Sequence, residues 1–318
     1  TATAVITNVR IFGAEASKGG AVYVTGGNEV TLDQVTIEGA RAEDAGGAIY
    51  NQGGVVHGNA VVIERSEAAG GAGGAIHNAV DGTLVLNNSV IYSSTATTGG
   101  GGVYNAGALH MWNNTLVSNA AEEGGGLYDD ASQATVLQNT MFVSNTATMG
   151  GGVYRQTALQ PTADYNLFWA NQAVTFPQHN LSPGSHDVTG PPAFVDAASG
   201  DFHLTIDSAA LDTGNPATPL ALDYEGDPRP SNSGYDIGAD ELRGCLARVM
   251  DPLTREQQGV VHRGVQRAVN AAEDGDWIQI HGTCLGVTPA LLHGSPVSHA
   301  VMDTKSLIPA GGYTERFA

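Results

Sequence analysis

The sequence predicts an all-β chain: a right-handed parallel β-helix, or solenoid, with a short amphipathic helix in a cap-like segment at its C-terminal end. Three observations lead there. The 318 residues include 43 glycines and two lysines, with 14% charged residues, so small and β-branched residues outnumber helix formers. A phrase of a glycine pair or triplet, a small residue, an aliphatic, an aromatic and a polar residue recurs through the first half. A second phrase, TLDQVTIEG, LVLNNSVIYSS, LHMWNNTLVSN and TVLQNTMFVSN, alternates with it.

The first phrase runs GGAVYV, GGAIYN, GGAIHN, GGVYN, GGLYD and GGVYR, placing its aromatic at Tyr23, Tyr50, His77, Tyr104, Tyr128 and Tyr154. The spacings are 27, 27, 27, 24 and 26 residues. That period, without a helical pattern, fits one coil of short strands per repeat. Alternation at Val85–Asn87 and Leu109–Met111 points successive side chains to opposite faces. One coil cannot bury its inner face alone, so coils must stack, and equivalent residues then lie above one another. The aromatics are expected to form one ladder. Asn88, Asn114 and Asn139 are expected to form another, pointing inward with amides bonding along the stack. The glycine pairs suit turns with positive φ. A leucine-rich repeat lacks its consensus here, and the period is short for a propeller blade.

These phrases, over residues 1–155, resemble the GG[AGS]-I-x-N repeats of right-handed parallel β-helix proteins, including the chlamydial polymorphic outer-membrane type and bacterial surface β-helices of pectate-lyase-like architecture. The resemblance implies a fold and little about function. The coil region is expected over 1–160, followed by irregular final coils over 161–242. In that second region ADYNLFWAN (163–171) reads as strand plus turn, and 177–200 as a long surface excursion. Asp223, Gly226, Pro228 and Arg229, then Asp236 through Glu241, resemble the C-terminal region of bacterial β-helices labelled choice-of-anchor Q.

Asp223, Glu225, Asp227, Asp236, Asp240 and Glu241 crowd this stretch. Hard cations take several carboxylate oxygens, so Asp223, Asp227, Asp236 and Asp240 are candidate Ca²⁺ ligands, and Ca²⁺ is the one cofactor the sequence brings into view. The alternative is structural: carboxylates that cap turns and pair with Arg229 or Arg243.

Residues 243–318 read as the start of another β-helix. Val261, Val265, Ala268, Val269 and Ala272 fall on one face of an expected helix, and Trp277–Ile280 reads as a strand. SLIPAGGYTERF reads as a further strand and a Gly-Gly turn. The order resembles the N-terminal entry of secreted β-helices. Cys245 and Cys284 are a candidate disulfide in an oxidising compartment, or two buried thiols; the resemblance suits a disulfide across the cap.

Of a net charge of −19, all is carried by residues 1–242, with 6 basic and 25 acidic groups, while 243–318 carries 7 of each. An acidic body repels nucleic acid and anionic membrane surfaces. No apolar run is long enough to insert in a bilayer as a helix. In residues 1–155 the bases are scattered, and the pairs Glu43/Asp44, Glu122/Glu123 and Asp129/Asp130 read as solvated loop charges. His77 reads as ladder filling. No P-loop, CxxC, HExxH or nucleophile elbow occurs, and no catalytic residue is assigned.

The expected function is that of an extracellular, cell-surface structural protein. It would be a subunit or repeat of a filament, sheath or stalk, partnered with copies of itself head to tail through β-helix ends, the cap-like segment covering the coils that begin at Thr1. The alternatives are a polysaccharide lyase or hydrolase of the β-helix class and a glycan-binding adhesin with surface glycans as partners.

Overall fold

A computed structural model describes residues 2–242, apart from Ile206, Asn232 and Ser233. In 243–318 it describes several short strands and the residues Asp251, Leu253 and Thr254. The chain forms two units, Thr1–Glu241 and Leu242–Ala318.

The first unit is a parallel β-solenoid, as the repeats predict. Each coil contributes a strand to each of several sheets. The first sheet has seven strands, from Thr3–Thr7 through Glu29–Asp33, Val55–Asn59, Thr83–Asn87, Ala108–Trp112 and Thr135–Gln138 to Thr162–Asp164. The second, also of seven, runs from Arg10–Phe12 to Leu167–Trp169. The third has four strands, from Glu15–Lys18 to Thr95–Ala96, and continues as single bridges through Ala120, Thr146 and Gln172. The fourth carries the aromatic phrase in six strands, from Val22–Val24 to Val153–Arg155.

Sharp corners separate the sheets. Between the first and second sits one left-handed residue per coil: Asn8, Gln34, Ala60, Asn88, Asn113, Asn139 and Tyr165, with φ between 48° and 57°. Before the fourth sheet sit Gly19, Gly46, Gly73, Gly100, Gly124 and Gly150, also at positive φ. The second glycine of each pair has a different reason. A Cβ on Gly20, Gly47, Gly74, Gly101, Gly125 or Gly151 would stand under 3.0 Å from the carbonyl oxygen of Gly47, Gly74, Gly101, Gly125, Gly151 or Pro177 respectively, each in the following coil. Along the glycine spine there is therefore no room for a side chain between successive coils.

Inward residues stack in columns. Ile37, Ile63, Ile91, Leu116, Phe142 and Phe168 form one, ending in two rings 5.2 Å apart. Ile49, Ile76, Val103, Leu127 and Val153 form another. Fully burying such a side chain contributes about 1.5–3 kcal/mol.

The stretch 177–200 is not one excursion. Its first part completes a last coil, His179 bridging to Val153 and Val188 to Leu167. Phe194–Asp196 then pairs antiparallel with Asp201–Leu204, and from there to Glu241 the chain runs back over the outer face of the second sheet. That cover explains why residues facing away from the core, Val90, Thr115, Met141, Val143 and Leu167, are nonetheless buried. Phe202 packs edge-on against Tyr92 at 4.9 Å. Ala239 N–H donates to Thr115 Oγ1 (3.0 Å) and Gly238 N–H to the Asn139 carbonyl (2.8 Å).

In the second unit, strands Gln257–Arg263, Leu246–Met250, Trp277–His281 and Ile308–Ala310 lie side by side in that order. The first two pairings are antiparallel and the last parallel. Ala290–Leu292 and Ser295–Val297 pair antiparallel. Val261, expected on a helix, lies in the strand Gln257–Arg263, where adjacent valines favour extended backbone. Val265, Ala268, Val269 and Ala272 fall outside the described residues, as do Cys245 and Cys284. The one helical element among the described residues is a 3₁₀ turn, Ala197–Ser199.

Candidate functional site

The aromatic positions lie in one register on the outer side of the fourth sheet. Tyr23, Tyr50, His77 and Tyr104 stack successively at 5.4, 4.7 and 4.6 Å. Tyr104 to Tyr128 follows at 5.2 Å, and Tyr154 tilts away at 5.7 Å. Lys18 Nζ sits 5.0 Å above the Tyr50 ring. Burial drives the His77 imidazole down to about 4, with Lys18 adding to the shift and the Ala72 carbonyl opposing it.

The asparagines do not form one ladder. Asn88 and Asn139 occupy the left-handed corner together with Asn113, whereas Asn114 stands one position later and points inward. The corner amides bond along the stack: Asn139 Nδ2 donates to Asn113 Oδ1 (3.3 Å) and Asn88 Nδ2 to Asn59 Oδ1 (3.4 Å). Asn114 instead receives the Ser89 N–H on Oδ1 (3.0 Å) and donates to the Leu86 carbonyl (2.8 Å), so it splices two coils at a buried corner. Asn166 does the same with Thr140 and Leu137. A further column, Asn119, Asn145 and Asn171, repeats the device at the next corner.

Another polar column is Asn51, Asn78, Asn105 and Asp129, each fully or almost fully buried. Each asparagine Nδ2 donates to the oxygen of the next coil, at 2.9, 2.8 and 2.8 Å, and the run ends on the Asp129 carboxylate. Arg155 closes it, with Nη1 on Asp129 and Nη2 on the Ala131 carbonyl (2.9 Å). Asp129 is thus an interior charge with a cation in contact, not a solvated loop charge; it sits two residues from the inward Leu127, on the same strand face. Glu43 and Asp44 are exposed as expected.

The acidic residues of the returning segment serve mainly to fold it. Asp223 accepts the N–H groups of Glu225 (2.9 Å), Asp227 (2.8 Å) and Glu241 (3.0 Å). Asp236 accepts the Asp212 N–H at 2.8 Å. Buried Arg229 reaches Glu241 (2.9 Å) and the carbonyls of Gly238 (2.8 Å) and Ala239 (2.6 Å). Asp223, Asp227, Asp236 and Asp240 do not gather as a ligand set. Of these four, only Asp240 belongs to the one group of three metal-ligating side chains found among the described residues, His203, Glu225 and Asp240, whose ligand atoms all lie within 4.8 Å of one another.

Three segments build that group. Asp201 and His203 alternate along one strand and so share a face; the Asp201 carboxylate takes both the His203 N–H (3.1 Å) and ring Nδ1 (2.5 Å). The turn held by Asp223 brings Glu225 Oε2 to 2.6 Å from His203 Nε2 and the Tyr224 hydroxyl to 3.1 Å. Asp240 follows the Arg229-bound carbonyls and accepts the Leu204 N–H at 2.7 Å. Burial pushes the Asp240 carboxyl up to about 6. Burial lowers the His203 imidazole, but the Glu225 and Asp201 carboxylates outweigh it and hold the ring above its ordinary value. The arrangement suits an imidazolium between two carboxylates, or a cation held in its place. His203 carries no repeat signature; its one sequence signal is the D-x-H alternation.

No family model matches the chain, and no curated protein or solved structure matches it. The likeness to pectate-lyase-like and choice-of-anchor Q proteins stays with the quoted motifs, while the fold itself is a parallel β-solenoid.

Proposed function

We propose that the protein is an extracellular structural solenoid, a rigid segment of a cell-surface filament, sheath or stalk, with copies or repeats joined head to tail by coil-end contacts. The observation that carries this reading is the use of polar residues as internal columns. Asn51 to Arg155, Asn119 to Asn171 and the stacked rings all bond coil to coil along one axis. A stack tied by buried hydrogen bonds at each step resists bending and shear, since each bond broken leaves a desolvated partner. Seven coils at about 4.8 Å each give a segment of roughly 30 Å along that axis.

Negative-stain electron microscopy of the purified chain at high concentration tests the reading. Ordered fibres with an axial repeat of a few nanometres (about 3–6 nm, from the coil rise) are expected. A monodisperse monomer throughout, together with unsaturated products from an acidic polysaccharide, would replace it with the lyase alternative.

A further inference from the structure

We propose that His203, Glu225 and Asp240 form a structural site for a divalent transition ion of the Zn²⁺ type, riveting three segments of the returning chain. The site lies apart from the coil columns and does not depend on the filament reading.

The first ground is the donor set. One imidazole nitrogen and two carboxylates lie close enough to share an ion, and an imidazole suits Zn²⁺ but not the hard oxygen-seeking Ca²⁺. The second is the Asp201 contact on Nδ1, which fixes the ring so that Nε2 faces Glu225. Metal-bound histidines almost always carry such a carboxylate or carbonyl on the other nitrogen.

The third ground is independent of the cluster's own bonds, and compares Asp240 with three other buried carboxylates, Asp129, Glu241 and Asp223. Asp129 holds Arg155 and Glu241 holds Arg229. Asp223 has no cation in contact but receives three backbone N–H groups. Asp240 is 6% exposed and receives one N–H, from Leu204, on Oδ2. An ionised carboxylate offers about four acceptor sites, and burying it without a partner is costly. A metal ion against Asp240 supplies what arginine supplies at the other two sites. The ion would join the strand Asp201–Leu204, the turn at Glu225 and the segment through Asp240, leaving one position of a tetrahedron for water or the Tyr224 hydroxyl.

The test is a titration of the full, chelator-stripped chain with Zn²⁺ by calorimetry and with Co²⁺ by visible absorption. The comparison set is Glu225→Gln, Asp201→Asn and His203→Gln. Glu225 is about half exposed, so its variant is the one least able to disturb folding. The expected result is a tetrahedral Co²⁺ spectrum in the parent chain and affinity lowered about 10–100-fold by Asp201→Asn, the usual loss for such an outer contact. Glu225→Gln should lose at least as much, and Zn²⁺ should raise the melting temperature of the parent but not of His203→Gln. Zn²⁺ affinity unchanged in Glu225→Gln and Asp201→Asn would place any bound ion elsewhere and overturn the proposal. So would a preference for Ca²⁺ over Zn²⁺ that Glu225→Gln abolishes.

Discussion

The coil stack and the segment that returns across it bury polar groups by opposite means. In the coils buried amides recur one period apart, so Asn51, Asn78 and Asn105 share one bonding pattern across three coils. In the returning segment nothing repeats: Arg229 alone gathers Glu241 and several carbonyls. The lesson is that stability in the first region is spread over many similar contacts. In the second it is concentrated in a few unlike ones, and substitutions should separate the two.

The largest effect is expected at the glycine spine. Gly74→Ala drives a Cβ into the Gly101 carbonyl and the Thr95 backbone. The cost should exceed about 4 kcal/mol, the range reserved for severe core disruption, so soluble folded protein should be lost. Gly226→Ala, in the returning segment, has positive φ but nothing within 4 Å of the added carbon, and should cost only about 1–2 kcal/mol of backbone strain. Equal losses measured by urea denaturation would break the distinction.

Next come the two buried arginines. Removing one partner of a buried ion pair costs about 3–5 kcal/mol. Arg155→Met should lower the main unfolding transition seen by far-UV circular dichroism, because it strands Asp129 at the end of a column through four coils. Arg229→Met should instead release the returning segment first, detected as early loss of the Phe202–Tyr92 packing in the near-UV signal.

A smaller effect is expected from acid. His77 stays neutral in the fold down to about 4, against an ordinary value of 6.5. Between those values the unfolded chain binds the proton and the folded chain does not, so stability is full above pH 6.5 and falls as pH drops toward 4. Allowing for the ring's partial exposure, the loss is about 2–3 kcal/mol. His77→Tyr, which restores the ladder residue, should remove that acid-dependent part. An unchanged pH profile would show that the ring protonates freely within the stack.

The smallest effect belongs to the corner asparagines. Asn88→Ala loses bonds to Asn59 and to the Leu222 carbonyl, but Ala60 already holds the equivalent left-handed corner. About 1 kcal/mol is expected in a thermal melt, the worth of an ordinary hydrogen bond.

The coil period and the ring register were legible in the sequence because each coil repeats the same words. The asparagine columns were misassigned by one residue because Asn87-Asn88 and Asn113-Asn114 are pairs, and only backbone φ separates corner from interior. The buried column Asn51–Asp129 was missed, although alternation from Ile49 through Tyr50 turns Asn51 inward. The second glycine's role was hidden because its obstacle is a carbonyl in the next coil. The returning segment left no periodic trace at all. Its contacts with Asn113 and Asn139 span more than a hundred residues in one case and 76 in another. Of the carboxylates that read as a calcium cluster, Asp223 and Asp236 accept N–H groups from 2 to 24 residues away.

Amide hydrogen exchange on the parent chain and Arg229→Met tests the two-region account most directly. Protection in Arg229→Met should fall for residues from Phe202 to Glu241 and for the few coil amides under them, while Asn51, Asn78, Asn105 and their inward neighbours keep the parent's slow exchange. Uniform loss of protection through every coil would show that the returning segment and the stack are one cooperative body, contradicting the division between them.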